Sequence, residues 1–310
     1  MGLGTNQVGV SVAGNFIPEL WSDEVIGAYK TNLVVANVVT KLSHKGKKGD
    51  TIHIPVPARG SASAKAVNTQ VTLSAATNSV INVSIDKHYE YSKLIEDIAE
   101  VQALASMRKF YTDDAGYALA KQVDSDLIDL GEGFQSGATT DGSYTTAYIG
   151  SGTTLWSGTN EADLDDDGLR ALILVLDNAD VPMDNRSLIV PPVCANDLLG
   201  INRFTEQAYI GSGDALKTGK IVQIYGFDVF ISTNCDTAAS GGGTGSSGGG
   251  DERVGILMHK DALVLAEQVG VRSQTQYKQE YLGDLFTSDT IYGVKELRND
   301  AGVCFVVPAS

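Results

Sequence analysis

"GDTIHIPVPARGSASAKAVNTQVTLSAATNSVINVSIDKHYEY", residues 49–91, decides how the rest of this chain is read. At its first end Ile52, Ile54 and Val56 alternate, and at its last Ile81, Val83, Ile85 and Tyr89 do the same. Successive side chains of a strand point to opposite faces, so each end reads as a half-buried strand, and the two face each other. Between them, residues 58–79 hold almost no large side chains and have nothing with which to build a core. A two-stranded ribbon is marginal in water, so this hairpin should lie against something else, and another copy of the chain is a candidate.

Working outward toward the amino terminus, "FIPELWSDEVIGAYKTNLVVANVV" at residues 16–39 places Pro18 where a helix can start. Trp21, Val25 and Tyr29 follow at spacings of four, the pattern of a short amphipathic helix. Residues 1–15 are rich in Gly, Asn, Thr and Val and read as a flexible arm. "HKGKKGD" at 44–50 is the densest basic cluster. Its ordinary reading is a solvated turn; the sharper one is that Lys45, Lys47 and Lys48 meet acidic side chains of a neighbouring subunit.

On the other side of the ribbon the period turns helical from Lys93, with Leu94, Ile98, Val101 and Ala105 on one stripe. A break is expected near Asp113 to Gly116, then a long helix with Tyr117, Ala120, Val123, Leu127 and Leu130 on its apolar side. Residues 131–159 read as loop with short strands. The spacing next predicts a helix from Asp165 to Asn178, its first turn carrying Asp165, Asp166 and Asp167 at the positive end of the helix dipole. "RSLIVPP" is a short buried strand, "ANDLLGINRF" a short helix, and "GKIVQIYGFDVFIS" at 219–232 a hairpin turning at Gly226. The glycine-rich run from Ser240 to Gly250 has linker composition, yet "RVGILMHKDALVLAEQ" resumes with a strand and a short helix, so the run is a loop inside a domain. Residues 269–308 should be mostly strand. Helices and strands mixed without a βαβ repeat argue for α+β architecture.

Composition removes several functions. The chain has 310 residues, 43% of them hydrophobic, enough for a substantial core. Its net charge of −15 would repel a phosphate backbone, so it is no DNA-gripping module. No eighteen apolar residues run together, so no membrane-spanning helix is expected. Cys194, Cys235 and Cys304 are an odd number, too scattered for zinc and too few for a disulfide framework, and read as reduced thiols.

The catalytic and metal motifs fail one by one, and no cofactor is expected. "DLDDDG" offers Asp163, Asp165, Asp167 and Gly168 at the spacing of a calcium loop, but Leu174 stands where a bidentate Glu is needed. "GDALKTGK" has five residues between its glycines and Ile221 where Ser or Thr should follow. "GSSGG" has the nucleophile-elbow spacing inside a low-complexity run. His44, His53, His88 and His259 form no metal pair, and no pair of carboxylates is singled out as acid and base.

Taken in order, "FIPELWSDEV", "GDTIHIP", "LIEDIAEVQA", "GYALAKQVDSDLI", "RSLIVPP", "TGKIVQIYGFDVFIS" and "MHKDALVLAEQ" resemble the major capsid protein of tailed double-stranded DNA bacteriophages, the HK97-like fold. The resemblance runs from about Phe16 to Pro308. It implies an amino-terminal arm with a short helix at 1–44 and an extended β-hairpin, the E-loop, at 45–92. A peripheral domain with a long spine helix would occupy 93–150 and 268–310, and an axial domain 151–267. It further implies a virion shell of hexamers and pentamers, assembled in the host cytoplasm and enclosing DNA without sequence-specific binding. The implied partners are a separate scaffold protein, since little chain precedes Phe16, a portal protein and, as a further candidate, a decoration protein.

In that family the E-loop lies across the adjacent subunit, which makes Lys45, Lys47, Lys48, Arg59, Lys65 and Trp21 the inter-subunit contact candidates. Lys65 is placed where some members weld subunits through a Lys and an Asn, but no residue combination here marks that chemistry and no cross-link is expected. Another virion or bacterial compartment shell protein, and more distantly a soluble hydrolase built on a carboxylate pair, are the alternatives.

Overall fold

The computed structural model describes residues 34–43, 49–56, 62, 64–71, 79–97, 107–134, 147–152, 154–156, 162–201, 223–235 and 253–308. Three sheets and a long helix account for most of them. The first sheet has four strands in the order β1 (Thr40–Ser43), β10 (Leu263–Lys278), β11 (Gly283–Glu296) and β4 (Lys87–Glu96). β1 runs parallel to β10, and the other pairs are antiparallel. The second has six, in the order β5 (Tyr148–Ile149), β12 (Gly302–Val307), β9 (Arg253–His259), β6 (Arg186–Val190), β8 (Phe227–Ile231) and β7 (Gln223–Ile224). β2 (Thr51–Val56) and β3 (Ser79–Ser84) form the third, a two-stranded ribbon.

The six-stranded sheet is buried on both faces at β12, β9 and β6, and opens to solvent toward β8 and β7. Val303, Phe305 and Val307 of β12 join the main core, while the intervening Cys304 and Val306 join a smaller one with Ala147, Ile149, Trp156 and Val254. That is why Leu188 to Val190 of β6 and Val303 to Val307 of β12 are apolar runs and not alternations. Close packing leaves no room for a side chain at Gly255, where an added Cβ would collide with the ring of Phe305. The β7–β8 connection is two residues, Tyr225 and Gly226, with φ of 48° and 87°, the left-handed pair of a type I′ turn. The hairpin at 219–232 is thus as expected over Gln223–Ile231; residues 219–222 lie outside the described ones.

α1 (Val35–Val38) is followed by α2 (Met107–Gly131), a single helix of 25 residues, about 37 Å at 1.5 Å per residue. The expected break near Asp113 to Gly116 does not occur. Its packed side is also turned from the expected stripe: Ala115, Leu119, Leu127 and Ile128 are buried, together with Asp124 and Asp126, while Tyr117, Ala120, Val123 and Leu130 are half-buried. The expected helical stripe from Lys93 is corrected too. Lys93 to Glu96 continue β4, paired from Phe286 to Gly283 of β11, with Ile95 buried and Leu94 outward; ladder pairing overrides a local helical period. Residues 98–106, which carried the rest of that stripe, lie outside the described residues.

α3 (Asp166–Asn178) matches its expected span, with Asp165 as the cap accepting from Gly168 N at 2.6 Å. α4 (Pro192–Gly200) starts directly after β6, three residues before the expected "ANDLLG". The strand "RVGILMH" is followed by one 3-10 turn, Lys260–Ala262, in place of the expected short helix, and "LVLAEQ" opens β10. Two pairings bear on the expected segment boundaries. Gly302–Val307 pairs with β9 and β5 inside the six-stranded sheet, and β10 begins at Leu263, before the expected boundary at 268.

Candidate assembly surface

The ribbon is anchored at its base by this chain's own sheet. Val83 and Ile85 are buried against Val264 and Ala266 of β10, with Ile52, Ile54, Leu42 and Ile291 packed around them. Ile85 N donates to Asp50 O at 2.7 Å, and Gln268 Nε2 to Gly49 O at 3.1 Å. β3 comes so close to β11 that a Cβ at Gly293 would collide with the carbonyl of Ser84. The partner the ribbon needs is therefore in part internal. Its outer end has none of this cover: Val80 is 54% exposed, and Val67 and Val71 in the excursion are also exposed.

Of the six contact candidates, Lys65 is exposed in that excursion, with its Nζ 3.5 Å from Ala66 O. Lys45, Lys47, Lys48, Arg59 and Trp21 lie outside the described residues, as does the glycine-rich run at 240–250. The acidic run reads as a helix start. Asp165 caps α3, while Asp166 and Asp167 pair with Arg170, and the hydroxyl of Tyr225 also donates to Asp166. Among the described residues no three or more His, Cys, Asp or Glu side chains are grouped to hold a metal ion, and no helix is long and apolar enough to cross a membrane.

Two buried aspartates on α2 form a junction between sheets that sequence reading missed. Asp124 Oδ1 accepts from Val35 N at 2.8 Å and Ala36 N at 3.3 Å, and its Oδ2 accepts from Asn234 Nδ2 at 3.3 Å. One carboxylate thus ties the exit of the amino-terminal segment, the long helix and the turn after β8. Burial raises its pKa, and the hydrogen bonds from Asn234 and from the backbone at Val34 to Ala36 only partly oppose that. Asp126 accepts from the hydroxyl of Tyr292 at 2.6 Å and from Gln122 Nε2 at 3.1 Å, and pairs with Lys87 Nζ at 2.9 Å. It binds α2 to β11 and β4. The only trace in the sequence is the placing of two acids beside the apolar positions Val123 and Leu127.

A cleft of about 200 Å³ lies beside the start of α4, lined by Pro191, Val193, Ser232, Thr233, Cys235 and Arg253. Burial pushes the Cys235 thiol up to about 12, and burial likewise raises Cys194 and Cys304, so these thiols are poor nucleophiles at neutral pH. All three are free and buried, as the scattered spacing implies.

The sequence profile of a family described as phage capsid protein matches residues 37–293. No curated protein gives a significant sequence match. Solved structures share the fold along nearly all of the chain. A structure from Mycobacterium phage Che8 is 23% identical with a TM-score of 0.73, covering 94% of this chain and 97% of its own. The capsid structure of cyanophage P-SCSP1u is 20% identical with a TM-score of 0.74, covering 100% and 98%. The head structure of Helicobacter pylori bacteriophage KHP40 is 12% identical with a TM-score of 0.72, covering 99% and 100%. With an α+β fold of the HK97-like kind and a family profile matching most of its length, the chain belongs to the phage capsid protein family and is a structural shell protein, not an enzyme.

Proposed function

We propose that this protein is the subunit of an icosahedral head of hexamers and pentamers that encloses double-stranded DNA, assembled in the host cytoplasm with a separate scaffold protein and closed by a portal. The observation that carries the reading is the family profile spanning residues 37–293. The four-stranded sheet with α2 would be the peripheral domain, and the six-stranded sheet, including β5 and β12, the axial domain. The ribbon would be the E-loop. Its exposed outer end, with Lys65 and Arg59, would reach the adjacent subunit, as would Lys45, Lys47 and Lys48 just ahead of its base, while residues 1–33 with Trp21 would act as the arm.

A net charge of −15 suits a wall that confines DNA without gripping it. Shell formation would spread its free energy over many modest contacts, and the Asp124 junction would hold arm, helix and second sheet in step as subunits shift. Electron microscopy and sedimentation of the protein, expressed alone and with a scaffold, test the reading. Closed shells, or capsomers that close when the scaffold is supplied, are expected. A stable monomer that never assembles under either condition would sink it.

A further inference from the structure

β10 changes character along its 16 residues. Leu263 to Ala266 are buried, and β1 pairs with the edge from Val264 to Glu267. After two register shifts, Arg272 to Lys278 pair without interruption with Asp289 to Gly283 on one side. On the other side no strand among the described residues pairs with them. All seven residues from Val271 to Tyr277 are exposed, so both faces as well as the edge are open.

Exposed sheet edges are ordinarily guarded by lysine, proline or inward-pointing charge, because their free N–H and C=O groups template pairing with another chain. This one is not. Ser273, Gln274, Thr275 and Gln276 carry no charge and no proline. Of the cations that flank them, Arg272 is held by Asp289 through two bonds of 2.8 Å, with His88 on the same carboxylate at 3.1 Å. Apolar exposure brackets the stretch, at Val271 (52%) and Tyr277 (47%), and continues through Tyr281 and Leu282 in the turn. Copies carrying −15 each repel one another, and a locally neutral strand that bonds through its main chain is where they can meet.

We propose that the edge of β10 from Val271 to Tyr277 accepts an extended segment of a second copy of this chain, continuing the four-stranded sheet across a subunit boundary. The inference rests on the shell reading above.

Amide hydrogen exchange of the wild-type protein, as monomer and in assembled shells, tests it directly. Peptides covering 271–277 should exchange rapidly in the monomer and at least tenfold more slowly in shells. Equal rates in the two, whether fast or slow, would overturn it, and slow exchange in both would mean the edge is filled within the subunit. Neighbouring N–H groups of a strand point to opposite edges, so of Gln274→Pro and Thr275→Pro one removes an outward donor and the other a bond to β11. The variant that keeps the monomer's melting midpoint should reduce shell yield at least tenfold. A yield within twofold of wild type would refute the pairing. If both variants unfold, the exchange comparison still decides, and failure of the wild type to form any shell counts against the shell reading instead.

Discussion

β12 and the outer half of β10 are both well-formed strands at opposite extremes of burial. Every residue of Gly302–Val307 is buried, with alternate side chains entering two different cores. Every residue from Val271 to Tyr277 is exposed, and among the described residues the strand is paired from one side only. The first has the apolar content to make its own stability. The second has a polar sequence held in place by its ladder to β11, and an outward edge that the pairing proposed above would use. β10 spans both regimes, since Leu263 to Ala266 belong to the first.

The largest effect expected from this contrast is at Phe305. Phe305→Ala removes a ring buried in the main core, over the space that Gly255 leaves for it, and should cost about 3–5 kcal/mol of subunit stability. Urea unfolding of the monomer measures it. A loss below about 1 kcal/mol would mean that the six-stranded sheet is not the stable half of the molecule.

The junction comes next. Asp124→Ala leaves the N–H groups of Val35 and Ala36 and the amide of Asn234 without their acceptor in a buried place, an expected loss of about 2–3 kcal/mol in the same assay. Asp124→Asn should behave differently. Because burial raises the folded-state pKa of Asp124 above its unfolded value, the folded state binds the proton more tightly. Wild-type stability from this group is then greatest below the unfolded pKa and declines as pH rises through the folded one. Melting midpoints from pH 3.5 to pH 7 should show wild type losing ground against Asp124→Asn as pH increases. A wild-type midpoint that holds level with or gains on that of Asp124→Asn as pH increases would contradict the assignment.

What could be read from the sequence follows the same divide. The ribbon strands were legible because one face is buried at the base, so Ile52, Ile54, Val83 and Ile85 alternate. β6 was legible as a short buried strand from the apolar run Leu188 to Val190, whereas β12 fell only within a general expectation of strand over 269–308. The end of β4 was not, because Leu94 and Ile95 are adjacent apolar residues on opposite faces and fit a helical stripe equally well. Nor was α2 as one helix, since Gly116 and three nearby acids or small residues imitate a break that tertiary packing overrides. Asp124 and Asp126 look like ordinary helix-surface acids until the partners arrive from residues about 90 to 170 positions away.

Gly116 gives a smaller effect of the opposite sign. It lies inside α2, and a Cβ added there meets nothing within 4 Å. Gly116→Ala should stabilise the monomer by about 0.5–1 kcal/mol, chiefly by restricting the unfolded chain. A destabilised variant in thermal melts would mean that the helix needs the freedom which the expected break implied.

The smallest effect on the subunit is also the one that tests the contrast most sharply. Val271→Ala removes two methyl groups from a side chain that is 52% exposed in the monomer, so subunit stability should change by less than about 0.5 kcal/mol. An identical truncation at Val303, wholly buried in β12, should cost roughly 1–3 kcal/mol by the same unfolding measurement. Shell yield should reverse the order once the variants are compared at matched folded fractions. Val271→Ala should then lower assembly, because its side chain loses cover only when a neighbouring strand would have supplied it, while Val303→Ala subunits that fold should assemble normally. Equal assembly by the two variants would show that exposure of the outer half of β10 has no bearing on what the subunit touches.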